Sequence, residues 1–365
     1  MTNITRRTLM QGVAAASLAG TFGARATLAA DGPLGITLVV PSPIGDVGWG
    51  RALQDGLEPV KAAHGDKVKV TVLENIAEGP DADRIMTKSV ADGNNFLIAG
   101  SFGYQNGALQ IARRNPKVSV LHASGFQVAP NFSPFAAKNF EGTYVLGMAA
   151  AALSKTGKLG SVSAFAIPEL IASVNAFTLG AQAVNPKAEV TVVWVNSWFD
   201  PAKEQEAAKA LVAQDCDVIF SNAQDTPSVV SACEAAGVYS LNLNSSMKRY
   251  APKFYLGCAA TDWSPFFKAS VDAHLAGTFK GANAFLGMKE KVVHIADASP
   301  DIPADVAAKM KEVEAKFADG SGSPFAGPVT KADGSQAAAA AATLSDAEII
   351  AMDWHVKGVT TPLPK

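Results

Sequence analysis

Short continuous apolar runs alternate with helical segments from Ile36 to Leu121, and the alternation begins again at Lys158. In the first series the expected strands are Ile36–Val40, Val68–Leu73, Phe96–Ala99 and Val118–Leu121. Helices are expected over Arg51–His64, Asp81–Asp92 and Asn106–Arg114. In the second series strands at Lys158–Ala164, Val190–Val195, Asp217–Phe220 and Val238–Leu241 are separated by helices. One of these covers Glu169–Ala183, one is capped by Asp200 with Pro201 at its first position, and one runs through Cys233 to Ala236. Strands this uniformly apolar belong in a parallel sheet covered by helices on both faces. Two such series predict an α/β chain with two doubly wound parallel-sheet lobes and a cleft between them. A length of 365 residues agrees, since one hydrophobic core stops growing near roughly 250–300 residues.

The N-terminal lobe is expected over 35–140 and the C-terminal lobe over 141–258. Residues 259–293 and parts of the C-terminal segment would complete the first lobe, with 294–365 crossing between the lobes and packing on them. Gly142–Leu153 reads as a closely packed Ala- and Gly-rich helix, and Ala337–Ala342 has the composition of a short one.

Ahead of the lobes, Arg6-Arg7 precedes an apolar stretch from Val13 to Phe22 and small residues around Leu28-Ala29-Ala30. This pattern predicts a twin-arginine-like signal peptide over 1–30 and a periplasmic mature protein. The apolar stretch is too short for a membrane span, and no later window supplies one. With 31 Lys+Arg against 33 Asp+Glu, nothing drives the chain toward nucleic acid or an anionic membrane. Three cysteines make no disulfide framework, although an exported location permits one pair. The five histidines show no metal-ligand spacing, and no nucleophile elbow is present. No catalytic residue, metal or cofactor is therefore expected.

Open parallel sheets bind ligands outside the carboxyl ends of their strands. The segments placed there are Ser42–Trp49, Ser101–Tyr104, His122–Phe126, Asn196–Asp200, Ser221–Asp225 and Asn242–Ser246. Trp49 and Trp198 belong to different lobes, and two indoles facing each other would sandwich a planar ring. The alternative is that both are packing residues. Asn222, Gln224, Asp225, Asn244 and Asp262 offer amides and carboxylates for ring nitrogens and exocyclic groups. Asp46 or Gly48 could present backbone donors, and Phe102 or Tyr104 could line the cleft or lock their loop. His122 is the only histidine at an expected strand end.

Gly45-Asp46-Val47-Gly48-Trp49, Asn139-Phe140-Glu141-Gly142, Gly157-Lys158-Leu159-Gly160 and Asn196-Ser197-Trp198-Phe199-Asp200-Pro201 follow one another in this order. Together they resemble the basic-membrane-protein family of solute-binding proteins for ABC transporters, which is related to purine-nucleoside receptors. Ser323–Pro328 and Met352–Val359 resemble the family's C-terminal signatures. The resemblance implies a type I periplasmic-binding fold with three crossings, near Glu141, Cys258 and after His294. It also implies non-catalytic capture of a purine nucleoside or base and its delivery to a membrane permease. The segments expected to carry the family's acidic and basic ribose contacts read Asn242-Leu243-Asn244-Ser245-Ser246 and Thr261-Asp262-Trp263. That departure points to a free purine base or related flat heterocycle, with a nucleoside, a sugar or a sensory ligand as alternatives. Asn222, Asp225 and Asp262 would pair with the edge of the ring on closure.

Overall fold

The computed structural model describes residues 32–364, so the signal sequence expected over 1–30 lies outside the described residues. The first lobe is built in chain order from β1 (Leu34–Val39), α1 (Trp49–His64), β2 (Val68–Leu73), α2 (Pro80–Ala91), β3 (Asn94–Ala99), α3 (Gln105–Arg114), β4 (Ser119–Ala123) and β5 (Phe132–Ala137). The second contains α4 (Asn139–Leu153), β6 (Lys158–Ser163), α5 (Pro168–Val184), β7 (Glu189–Trp194), α6 (Pro201–Val212), β8 (Val218–Asn222), α7 (Ser228–Ala236), β9 (Tyr239–Asn244) and β10 (Tyr255–Thr261). Then follow α8 (Ser264–Leu275), β11 (Ala284–Leu286), β12 (Val293–Ala296), α9 (Ala304–Asp319), β13 (Val329–Thr330), β14 (Gln336–Ala338) and α10 (Asp346–Ile350).

The first sheet has the order β11-β5-β4-β3-β1-β2 and is parallel throughout. The second has the order β12-β10-β9-β8-β6-β7, with β12 antiparallel at one edge. In each sheet the strand order reverses once, between β1 and β3 and between β6 and β8. Those reversals open a crevice at the carboxyl ends of the strands.

The chain passes between the sheets after β5, after β10 and between β11 and β12. The first crossing is at the expected place. The second falls at Asp262–Trp263, just past Cys258 in β10, and the third precedes His294 instead of following it. The returning segment also divides differently. Helix α8 packs on α1 and β11 extends the first sheet, whereas β12, α9 and the residues around Val356 pack on the second. Ala337–Ala342 is not a helix, because Gln336–Ala338 pairs as a strand with β13. All three cysteines are free and buried, and burial pushes the Cys216 and Cys233 thiols up to about 11 and about 12.

Among the described residues, helices α4 and α5 share the most extensive contact between two elements. A Cβ on Gly147 would strike the backbone carbonyl of Phe177, and one on Gly180 would strike that of Tyr144. The two backbones thus touch through glycines on both sides. We predict that Gly180→Val destabilises the protein by about 1–3 kcal/mol through overpacking. A fall in the urea midpoint checks this, and an unchanged midpoint would contradict it.

Candidate ligand-binding site

Helix α1 begins at Trp49 behind Gly48, which has no side chain with which to cap it, and its first turn carries no acidic residue. The cap comes from the other lobe. The Asp225 carboxylate, just after β8, accepts the Trp49 backbone N–H at 2.8 Å. Ser245 Oγ, just after β9, accepts the Gly48 N–H at 2.7 Å. The positive end of a helix dipole thus faces an acid on a different sheet. Next to this pair, Val47 inserts among Val230, Met247 and Tyr255 of the second lobe.

Burial raises the Asp225 carboxyl to about 6, against the lowering effect of its bonds from Trp49 and Ser42. Only glycine fits at position 48, where φ is +93° and a Cβ would lie 2.8 Å from Asp225 Oδ1.

Trp49 and Trp198 line one cavity, together with Phe102, Asn139, Glu169, Asp225 and Asn244. It leaves about 40 Å³ for the centres of water molecules. Both sheets contribute their carboxyl ends. The Trp49 indole is held by its Nε1–H, which donates to the Gly100 carbonyl at 2.8 Å, and by an edge-on contact with Trp263. Trp198 leans on Phe165 with ring centroids 4.7 Å apart, and its carbonyl accepts the Asp225 N–H at 3.1 Å. Among the described residues the buried Trp198 Nε1, Asn139 Oδ1 and Asn244 Oδ1 have no hydrogen-bond partner. Unpaired polar atoms are costly in a dry site, so they mark where a ligand can bond.

Five of the expected residues therefore meet at this cavity: Trp49, Trp198, Phe102, Asp225 and Asn244. Asp46, Gly48, Tyr104, Asn222, Gln224 and Asp262 do not line it. Asp46 is half-exposed and pairs with Arg249 and the Tyr250 hydroxyl instead. Gly48 spends its N–H on Ser245, as described. Tyr104 is fully buried and donates its hydroxyl to the Ile76 carbonyl. It locks the loop, while Glu78 accepts from Ser101 Oγ and Gly103 N–H and so presents Phe102. Asn222 is buried behind the cavity and donates to Ser163 Oγ and the Leu170 carbonyl. Asp262 is exposed at the second crossing, where its Oδ1 accepts the Ser264 N–H at 2.9 Å. His122 is in the core, burial pushes it down to about 4, and its Nε2 lies 3.0 Å from the Ser101 carbonyl.

Sequence reasoning missed Glu169 and Asn139. Glu169 follows Pro168 in the first turn of α5, directly after β6, and that strand-then-Pro signal marks a loop end facing the crevice. Its Oε2 accepts Ser124 Oγ–H from the first lobe at 2.5 Å, and its Oε1 accepts Asn139 Nδ2 at 3.3 Å. Burial raises its carboxyl to about 7.

Two α/β lobes with parallel sheets are typical of the periplasmic-binding-protein fold. Solved structures of solute-binding proteins share the fold. One from Aeropyrum pernix has a TM-score of 0.69 at 16% identity, covering 82% of this chain and 93% of that one. One from Conexibacter woesei has a TM-score of 0.64 at 19% identity, covering 80% and 98%. Residues 34–322 match the family model described as ABC transporter substrate-binding protein, PnrA-like, and the chain belongs to that family. It is similar to a purine-binding protein of Brucella abortus, 37% identical over 92% of this chain and 95% of that protein. A putative ABC transporter glucose-binding protein of Haloferax volcanii is 32% identical over 75% of this chain and 69% of that one. Proteins of this family hold a solute outside the cytoplasm for an ABC importer and perform no chemistry on it.

The fit at position 48 is directly testable. Gly48→Ala should lower stability by about 1–3 kcal/mol, from strain at positive φ and collision with Asp225. Gly45→Ala, where a Cβ meets nothing within 4 Å, should be neutral. Equal urea midpoints for the two variants would contradict this account of the inter-lobe cap.

Proposed function

We propose that this protein captures a free purine base for an ABC importer, holding the ring in the cleft between its lobes with Trp49 on one face and Trp198 on the other. The observation that carries the reading is that these two indoles, from different sheets, line one small cavity together with polar side chains, a space that widens for a ring as the lobes part. Flat slots between aromatic faces suit planar heterocycles, and each aromatic contact adds about 0.5–1.5 kcal/mol beyond area burial. Asp225, Asn244, Asn139 and Glu169 supply acceptors for ring and exocyclic N–H groups. The similarity to a purine-binding protein supports the same class of ligand. Export by the twin-arginine route and delivery to a dedicated permease complete the proposal.

Binding is then a closure of lobes around three crossings. The crossings are tied together, because Glu141 Oε2 in α4 accepts the Met288 N–H between β11 and β12 at 2.7 Å. Tryptophan fluorescence titrated with adenine, guanine, hypoxanthine, adenosine and glucose tests the ligand class. A saturable change with a base, lost at least tenfold in affinity in Trp49→Ala and Trp198→Ala, is expected. A response to glucose alone would contradict the purine reading, and a response to adenosine alone would replace the base by a nucleoside.

Closure should also depend on pH. In water Asp225 and Glu169 would titrate near 3.8 and 4.5, whereas buried at the lobe interface they titrate at about 6 and about 7. The closed form thus binds protons more tightly. Closure is favoured at low pH and loses that advantage as pH rises from about 4 to 7. Small-angle scattering of the ligand-free protein should show the radius of gyration increasing over this range. The increase should flatten in Asp225→Asn/Glu169→Gln, and an identical slope in that variant would contradict the assignment.

A further inference from the structure

Beside the indole slot lies a second chamber that the purine reading leaves unused. It offers about 210 Å³ on the same measure, far more than the slot itself. A cavity of about 150 Å³ with apolar walls is enough to hold benzene. The chamber shares Phe102, Ser124, Ile167 and Glu169 with the slot, so the two adjoin, with only these side chains between them. Its remaining walls are mainly apolar and come from both lobes, with Phe126, Ala136 and Phe285 on one side and Ala172 and Ile350 on the other. A ribose placed there would meet few polar side chains, Ser124, Glu169 and Asn283, for its hydroxyls. An alkyl or aryl group would bury its surface at no such cost.

Glu169 stands at the boundary between slot and chamber. Its two oxygens each accept one bond, from Ser124 and Asn139, and each keeps a further lone pair. Of the four side chains shared by slot and chamber, only this one offers a charged acceptor to a group that reaches from the ring into the chamber. A secondary amine suits that path, since its single N–H is donated to Glu169 while its apolar substituent continues past.

We propose that the chamber is a second subsite for an apolar substituent on the ligand's exocyclic amine, so that the protein takes N6-alkyl or N6-arylalkyl adenines in preference to adenine itself. This rests on the purine reading of the adjoining slot. Burial of the substituent should tighten binding about tenfold or more over adenine.

Calorimetric titration of the full mature chain with adenine and N6-benzyladenine tests this, in wild type, Ala172→Leu and Ile350→Trp. Both variants fill the chamber. Ile350 is only partly buried, so its variant remains informative should Ala172→Leu fail to fold. The expected result is tighter binding of N6-benzyladenine to wild type, with that gain abolished in the variants while the adenine affinity stays within twofold. Adenine binding with N6-benzyladenine no tighter, or a gain that survives both variants, would overturn the subsite and leave the purine slot standing. Failure of both ligands to bind would overturn the purine reading and this inference with it.

Discussion

The bond from the Trp49 N–H to the Asp225 carboxylate is the contact on which the functional geometry depends. It caps the first helix of one lobe with an acid from the other. It therefore places the Trp49 ring, fixed by its bond to the Gly100 carbonyl, on the same cavity as Trp198, whose carbonyl holds Asp225 in turn. A carboxylate at a helix N-terminus is favourable on its own. Here the helix has no acceptor of its own in that position, so the gain is available only when the lobes meet. Glycine at 48 is the condition for that approach, since any side chain would stand between the helix and the acid.

The two sheets make this meeting possible because each reverses its strand order once. The loops after β1, β3 and β4 face those after β6, β7, β8 and β9, and the cavity-lining residues come from these loops, from strand ends, from the first turns of α1 and α5, and from Asn139 at the first crossing. The glycine contact between α4 and α5 serves the same geometry from behind. It brings the helix that follows the first crossing against the helix that carries Glu169, so that crossing and site share one rigid support. Two carboxyls raised by burial, Asp225 and Glu169, both bond across the lobes, and each ties closure to the ionisation of the site.

Much of the fold was legible because parallel strands buried on both faces are continuous apolar runs. Strand β5 was not, since Pro134 interrupts Phe132–Ala137. The proline is tolerated because the neighbouring β11 begins its pairing only at Phe135, one residue further on. The alanine run misled in the other direction, since intrinsic helix propensity is weak over so few residues and pairing with β13 outweighs it. At the site, strand-end position identified Trp49, Trp198, Phe102, Asp225 and Asn244, because topology alone carries such residues to the crevice. It could not separate Tyr104 from Phe102, two residues apart, as that choice is made by Glu78 and the Ile76 carbonyl in a distant loop. Asp262 was polar and near a strand end, yet it is exposed at a crossing, with its carboxylate turned to the Ser264 N–H. Asp46 and Gly48 serve the inter-lobe contact, a use that only the assembled lobes reveal.

The central claim is that the two indoles form the ligand slot. A crystal structure of the mature protein grown with adenine tests it most directly. The account predicts a purine ring between Trp49 and Trp198, with its edge within hydrogen-bond distance of Asp225 or Glu169. A ring bound elsewhere, or the two indoles packed with no ligand between them at saturating adenine, would contradict it.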